Sequence, residues 1–135
     1  MNPFDPLAWM WTDACERLDR AERMERQFFR VTRRAAHGVC WEPPIDVYET
    51  ASALCLVVAL PGVAASELRV EIHDTRLEVR GRRPMPSALR GAVIRRLELP
   101  FGDFERRIEL PPGRYRIERS ELADGCLHLD LHKLP

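Results

Sequence analysis

Two hydrophobic periods divide this chain. Apolar residues first recur in steps of three and four, at Trp11, Ala14, Leu18, Ala21, Met24, Phe28, Val31 and Ala35. That spacing predicts an amphipathic helix over residues 12–37, with charge on its opposite face. Asp13, three residues ahead of Glu16, makes a cap-like start, and Gly38 supplies a stop. Glu16 with Arg20, Asp19 with Arg23 and Glu22 with Arg26 are spaced four apart in the favourable order. The apolar face still needs a cover, from this chain or from a partner. Pro43-Pro44 then excludes helix and imposes an extended linker.

Beyond the prolines the period falls to two. Leu54, Leu56, Val58 and Leu60 alternate with the smaller Cys55, Val57 and Ala59, which predicts a strand covered on both faces, one more heavily. Leu68, Val70 and Ile72 alternate with Arg69, Glu71 and His73, and Leu77 and Val79 with Arg76, Glu78 and Arg80. These are half-buried strands joined by a hairpin turn at His73-Asp74-Thr75-Arg76. Further strands are predicted over residues 92–97, 104–110, 114–119 and 126–131, with Asp124-Gly125 as a tight turn before the last. Short strands punctuated by regular turn signals argue for an all-β sandwich preceded by the amino-terminal helix. Leu60-Pro61-Gly62 and Leu110-Pro111-Pro112-Gly113 end their strands sharply, because proline removes a ladder donor and glycine accepts positive φ. Neither has the glycine spacing or the following helix of a phosphate loop.

Composition removes several functions. The 135 residues suit one domain, and 21 basic against 21 acidic side chains leave no net attraction to nucleic acid or an anionic membrane. The apolar run Leu56–Val63 is far short of the roughly twenty residues a membrane helix needs. Cys15, Cys40, Cys55 and Cys126 form no CxxC pair, and the amino end leads into a charged helix with no apolar signal region. A cytoplasmic protein with reduced thiols is expected. Ser66, Ser87 and Ser120 lack nucleophile-elbow glycines, and the histidines and carboxylates fit no catalytic spacing, so neither an enzyme nor a cofactor is expected. Cys126, His128, Asp130 and His132 share one strand face and are metal-ligand types. They would need ligands from elsewhere to close a site; the alternative, a polar outer face opposite Leu127, Leu129 and Leu131, leaves no metal expected.

A series of motifs then falls in order along the chain: Pro44-Ile45-Asp46-Val47-Tyr48-Glu49, Ala59-Leu60-Pro61-Gly62-Val63, Leu77-Glu78-Val79-Arg80-Gly81, the run from Gly102 to Pro111, and Asp124-Gly125-Cys126-Leu127. Together they resemble the small heat-shock proteins of bacterial type, whose common part is the α-crystallin domain. The resemblance implies an immunoglobulin-like β-sandwich. It divides the chain into a helical arm and linker over residues 1–42, an α-crystallin domain over 43–131 and a truncated tail over 132–135. The implied activity is ATP-independent holding of partly unfolded client proteins, which prevents their aggregation. The alternative is a docking module or co-chaperone like the CS domains, without general holdase activity. The Gly102 to Pro111 motif and the long segment before it favour the first.

The resemblance also assigns residues. A homodimer forms by strand exchange, with Ala92, Val93, Ile94, Arg95, Arg96 and Leu97 lying against Asp46, Val47 and Tyr48 of a second copy. Arg106 falls on the family's arginine at the dimer contact, where a guanidinium can fork to two carboxylates. A groove for clients and tails lies between the strands at 68–73 and 114–119, lined by Leu68, Val70, Ile72, Tyr115 and Ile117; the competing reading is that each faces its own core. Phe4, Trp9, Trp11, Phe28 and Phe29 would contact clients from the arm, where aromatic rings offer large adaptable anchors; an arm packed on its own domain is the competing reading. Most members end in an Ile-x-Ile or Ile-x-Val tail. Here it is either naturally absent or cut away, so dimers or small oligomers are expected.

Overall fold

A computed structural model of the protein describes Ala14, residues 30–35 and residues 38–135. Two sheets face each other across one core. The first has the order β1 (Arg30–Ala35), β2 (Gly38–Glu42), β7 (Gly102–Glu109), β6 (Arg76–Arg83), β5 (Leu68–His73). The second has the order β3 (Ile45–Glu49), β4 (Ala53–Ala59), β9 (Cys126–Leu134), β8 (Arg114–Ala123). Each ladder is antiparallel except a short parallel contact of β2 with β7, at Cys40↔Asp103 and Trp41↔Phe104.

Alternation decides what goes inside. Leu54, Leu56 and Val58 of β4 and Leu127, Leu129 and Leu131 of β9 meet Leu77 and Val79 of β6 and Phe104 of β7, all at most 1% exposed. Burying each such side chain contributes roughly 1.5–3 kcal/mol. The residues between them, such as Cys55, Val57, His128 and Asp130, lie on the outer face and are half-buried.

The turns follow the residue chemistry. Asp124 (φ 53°) and Gly125 (φ 74°) are both left-handed, as a two-residue type I′ hairpin requires. At Leu60-Pro61-Gly62-Val63, the Val63 amide donates to Leu60 O at 3.3 Å and Gly62 takes φ 75°. Proline followed by a positive-φ glycine is the signature of a type II turn.

Four expectations change. Ala14 is helical, but Arg30–Ala35 is a strand, so the helix expected over 12–37 does not run to its predicted end. Val31 and Thr32 are β-branched and disfavour helix, and pairing with Gly38–Glu42 satisfies the backbone groups. The rest of the predicted helix lies outside the described residues. Residues 38–42, expected as linker, form β2. Residues 92–97, expected as a strand, form no ladder within the chain: β6 and β7 already pair through Arg83↔Gly102, which leaves the segment between them a protruding loop. Finally, β9 continues past the predicted end at Leu131 to Leu134, where the Lys133 amide donates to Ser52 O at 2.9 Å.

Phe104 fills the middle of the core from β7. Phe104→Ala is expected to destabilise the fold by about 3–5 kcal/mol in urea unfolding, whereas Arg107→Ala on the exposed face of the same strand shifts it by less than about 1 kcal/mol.

Candidate functional site

The chain order leaves four outer strands among the described residues, β1 and β5 in the first sheet and β3 and β8 in the second, and the last three bear on the assigned sites. β3 is the outer strand of the second sheet and pairs only with β4, through Asp46↔Val57, Val47↔Leu56 and Tyr48↔Cys55. Its Asp46, Val47 and Tyr48 are exposed, Tyr48 by 56%. β5 and β8 are the outer strands at the far ends of the two sheets. Because β2 and β3 are joined only by Pro43-Pro44, those two strands stack at one side of the sandwich, and β5 and β8 therefore lie at the other.

The protruding loop supplies the apolar counterpart of an open edge. Val93 is 76% exposed and Ile94 63%, with Leu97 and Leu99 more than half exposed, and Ala92, Arg95 and Arg96 also face solvent. Contiguous exposed aliphatic side chains of this kind mark an interaction surface. Two hydrogen bonds hold the foot of the loop: Arg83 Nη1 donates to Pro100 O at 2.8 Å and Trp41 Nε1 to Phe101 O at 2.9 Å. Neither contact had a signal in the sequence, since their partners are backbone carbonyls distant along the chain.

At the other assigned sites the placement is mixed. Leu68, Val70 and Ile72 of β5 and Tyr115 of β8 are half-buried and pack against the core, while Ile117 is 37% exposed. The Tyr115 hydroxyl donates to Pro111 O at 2.7 Å, which fixes the ring at the start of β8. A β-bulge between Ile117 and Arg119 then changes the phase of β8: Ile117 faces Leu131, but Ser120 and Leu122 face Leu129 and Leu127. Strict alternation would have placed Arg119 inside. Arg106 is half-buried at the mouth of the sandwich and binds its own chain, with Nη1 donating to Glu42 Oε1 at 2.8 Å. Phe4, Trp9, Trp11, Phe28 and Phe29 lie outside the described residues.

The outer face of the second sheet carries the polar chemistry. Cys55 stands opposite Asp130, and the thiol is raised above its ordinary range by desolvation, then by its hydrogen bond to Asp130 and that carboxylate's charge. Arg119 donates from Nε and Nη2 to Glu121 Oε2 at 3.0 and 2.7 Å, holding that carboxyl below the usual range. Cys126, His128, Asp130 and His132 do not converge: they face Ala59, Val57, Cys55 and Ala53 in turn along β9. Among the described residues the grouping with ligand atoms close enough for a metal is Glu71, His73 and Glu78, within 4.8 Å of one another on the first sheet's outer face. It is largely exposed, and Glu78 already meets Arg80 and Arg107 at 3.4 Å.

A two-sheet sandwich with a long loop between its sixth and seventh strands and open outer edges defines an α-crystallin type of domain. The chain belongs to the Hsp20/alpha crystallin family, whose model matches residues 46–135. It is 33% identical over 129 residues to the 19.0 kDa class II heat shock protein of Oryza sativa subsp. japonica, covering 87% of this chain and 74% of that one. To the 17.0 kDa class II heat shock protein of Zea mays it is 31% identical over 93 residues, 68% of this chain and 60% of that one. The chain thus spans between three fifths and three quarters of the length of these plant relatives. Among solved structures, hspA from Xanthomonas axonopodis aligns with TM-score 0.61 and 28% identity over 70% of this chain and 96% of that one. Heat shock protein 16.0 from Schizosaccharomyces pombe aligns with TM-score 0.62 and 28% identity over 69% and 87%.

Asp130→Asn removes the charge that disfavours the Cys55 thiolate. At pH 8 the variant is expected to alkylate at Cys55 about threefold faster than the parent, read site by site by mass spectrometry, with Cys40 unchanged.

Proposed function

We propose that this protein is an ATP-independent holdase that binds partly unfolded proteins through apolar surface which its own core leaves uncovered. The observation that carries the reading is the pairing of a closed core with an open periphery: the interior leucines are fully buried, while the outer strands β5 and β8 leave Leu68, Val70, Ile72 and Tyr115 only half-buried and Ile117 37% exposed. Membership of the Hsp20/alpha crystallin family supports it. Holding a client needs no bond-making step, so the protein acts without a catalytic centre or a cofactor, and its reduced thiols suit the cytoplasm.

In this reading two copies assemble by strand exchange. Residues 92–97 of one copy add to the free edge of β3 in the other, which satisfies backbone groups on both and covers Val93 and Ile94. Arg106, now on Glu42, would take a second carboxylate from the partner copy through its remaining donors. The slot between β5 and β8, floored by Leu68, Val70, Ile72 and Tyr115, accepts an extended apolar segment. Arm residues Phe4, Trp9, Trp11, Phe28 and Phe29 add aromatic anchors for clients.

The test is suppression of light scattering from a heat-labile client protein with ATP absent. The parent is expected to suppress it. A folded parent that leaves scattering unchanged would overturn the holdase reading in favour of a docking module for one partner. The double variant Val93→Asp, Ile94→Asp is expected to keep the parent's circular dichroism while weakening the dimer by about a hundredfold or more, measured by sedimentation. Equal dimerisation of the variant would remove strand exchange from the account.

A further inference from the structure

The loop of residues 84–101 leaves the sheet at Arg83 and returns at Gly102, two residues that face each other in the β6–β7 ladder. That register brings the two feet together but does not set the direction in which the loop projects. Burial sets it only at the foot, where Pro100 is buried; residues 84–99 are exposed, and a hollow of about 150 Å³ is lined by Arg83, Met85, Leu89, Leu97 and Phe101 among others. Pro84, Pro86 and Pro100 have no amide hydrogen, so at those positions the backbone can be held only through its carbonyls.

Two side chains take hold of carbonyls at the returning foot. Arg83 Nη1 donates to Pro100 O at 2.8 Å and Trp41 Nε1 to Phe101 O at 2.9 Å. These acceptors are consecutive, and the donors reach them from different strands. Arg83 ends β6; Trp41 belongs to β2, which is paired with β1 of the amino-terminal hairpin and lies parallel to β7. The indole is packed against the core, and its single N–H is thereby aimed.

Gly62 completes the arrangement. A Cβ added there would lie 2.6 Å from Arg83 Nε and 2.8 Å from Arg83 Cδ, so the arginine side chain crosses the Leu60-Pro61-Gly62 corner through space that only glycine leaves. The corner glycine therefore serves both the positive φ of its turn and the path of a guanidinium.

We infer that Trp41, Arg83 and Gly62 form a clamp on the foot of the 84–101 loop, which sets the direction of its exposed apolar residues and couples the amino-terminal hairpin to exchange of subunits. The coupling to subunit exchange rests on the strand-exchange reading above; the clamp itself does not. Trp41 and Arg83 are positioning residues, acting on Val93, Ile94 and Leu97 through the backbone. A movement of the hairpin that withdraws Trp41 frees the foot and makes those residues easier to detach from a partner.

The experiment uses the full chain with Trp41→Phe, Arg83→Met and Gly62→Ala made singly. Trp41→Phe retains a ring on the core and loses only the donor, so it separates the clamp from packing. Backbone order parameters at Leu97, Glu98, Leu99 and Phe101 are measured by NMR relaxation, and subunit exchange by native mass spectrometry of mixed isotopic populations. The clamp predicts order parameters falling from about 0.85 toward 0.6 in each variant, with subunit exchange about fivefold faster for the loss of one such bond. Unchanged order parameters in folded Trp41→Phe and Arg83→Met overturn the clamp. A parent that stays monomeric while the variants lose loop order supports the clamp and refutes strand exchange. Loop order lost without faster exchange in a genuine dimer refutes the coupling.

Discussion

The structure depends on a constraint at Pro43-Pro44. Neither residue has an amide hydrogen to give a ladder, so β2 cannot continue and the chain crosses from the first sheet to the second within two residues. That crossing places β2 and β3 at one side of the sandwich and leaves β3 as an outer strand. β5 and β8 become the outer strands opposite. Among the described residues these outer strands keep an unpaired edge, and the loop between β6 and β7 exposes Val93 and Ile94.

What holds the sandwich together is kept apart from what it presents. The core is a double row of leucines from β4 and β9 closed by Leu77, Val79 and Phe104, with no polar or charged residue buried among the described residues. Arg106 with Glu42 at 2.8 Å is half-buried, but most ion pairs lie on the outer faces, such as Arg119 with Glu121 and Lys133 with Glu49, both at 2.7 Å. Exposed pairs of this kind contribute little stability, about 0–1 kcal/mol each. Their effect is to keep the broad faces charged and solvated, which confines apolar exposure to the edges and the loop.

Much of the fold was legible because its signal is local. Leu68 to Val79 shows two half-buried strands by alternation alone, and Asp124-Gly125 announces its turn by the conformations those residues tolerate. The misreadings occur where a local pattern competes with a distant partner. Arg30–Ala35 continues a helical spacing from Trp11, yet β-branched Val31 and Thr32 and the pairing with Gly38–Glu42 make it a strand. The bulge beside Glu118 inserts one residue and reverses which side chains of β8 face inward, which no periodicity count registers. Residues 92–97 have strand-like composition, but β6 and β7 on either side already pair with each other and leave the segment as a loop. The residues assigned at Asp46–Tyr48 and at 92–97 came from the ordered motifs and not from periodicity. The bonds of Trp41 and Arg83 to Phe101 O and Pro100 O were not legible, because a carbonyl carries no residue-type signal.

The central claim is that β3 presents a backbone edge which a second copy of the chain completes. Hydrogen exchange of the β3 amides across a dilution series measures this most directly. The account predicts that the alternate amides of Ile45–Glu49 left unpaired by β4 become protected as protein concentration rises through the dimerisation midpoint. Exchange from those amides that stays fast and independent of concentration, in a protein shown by sedimentation to associate, would contradict it.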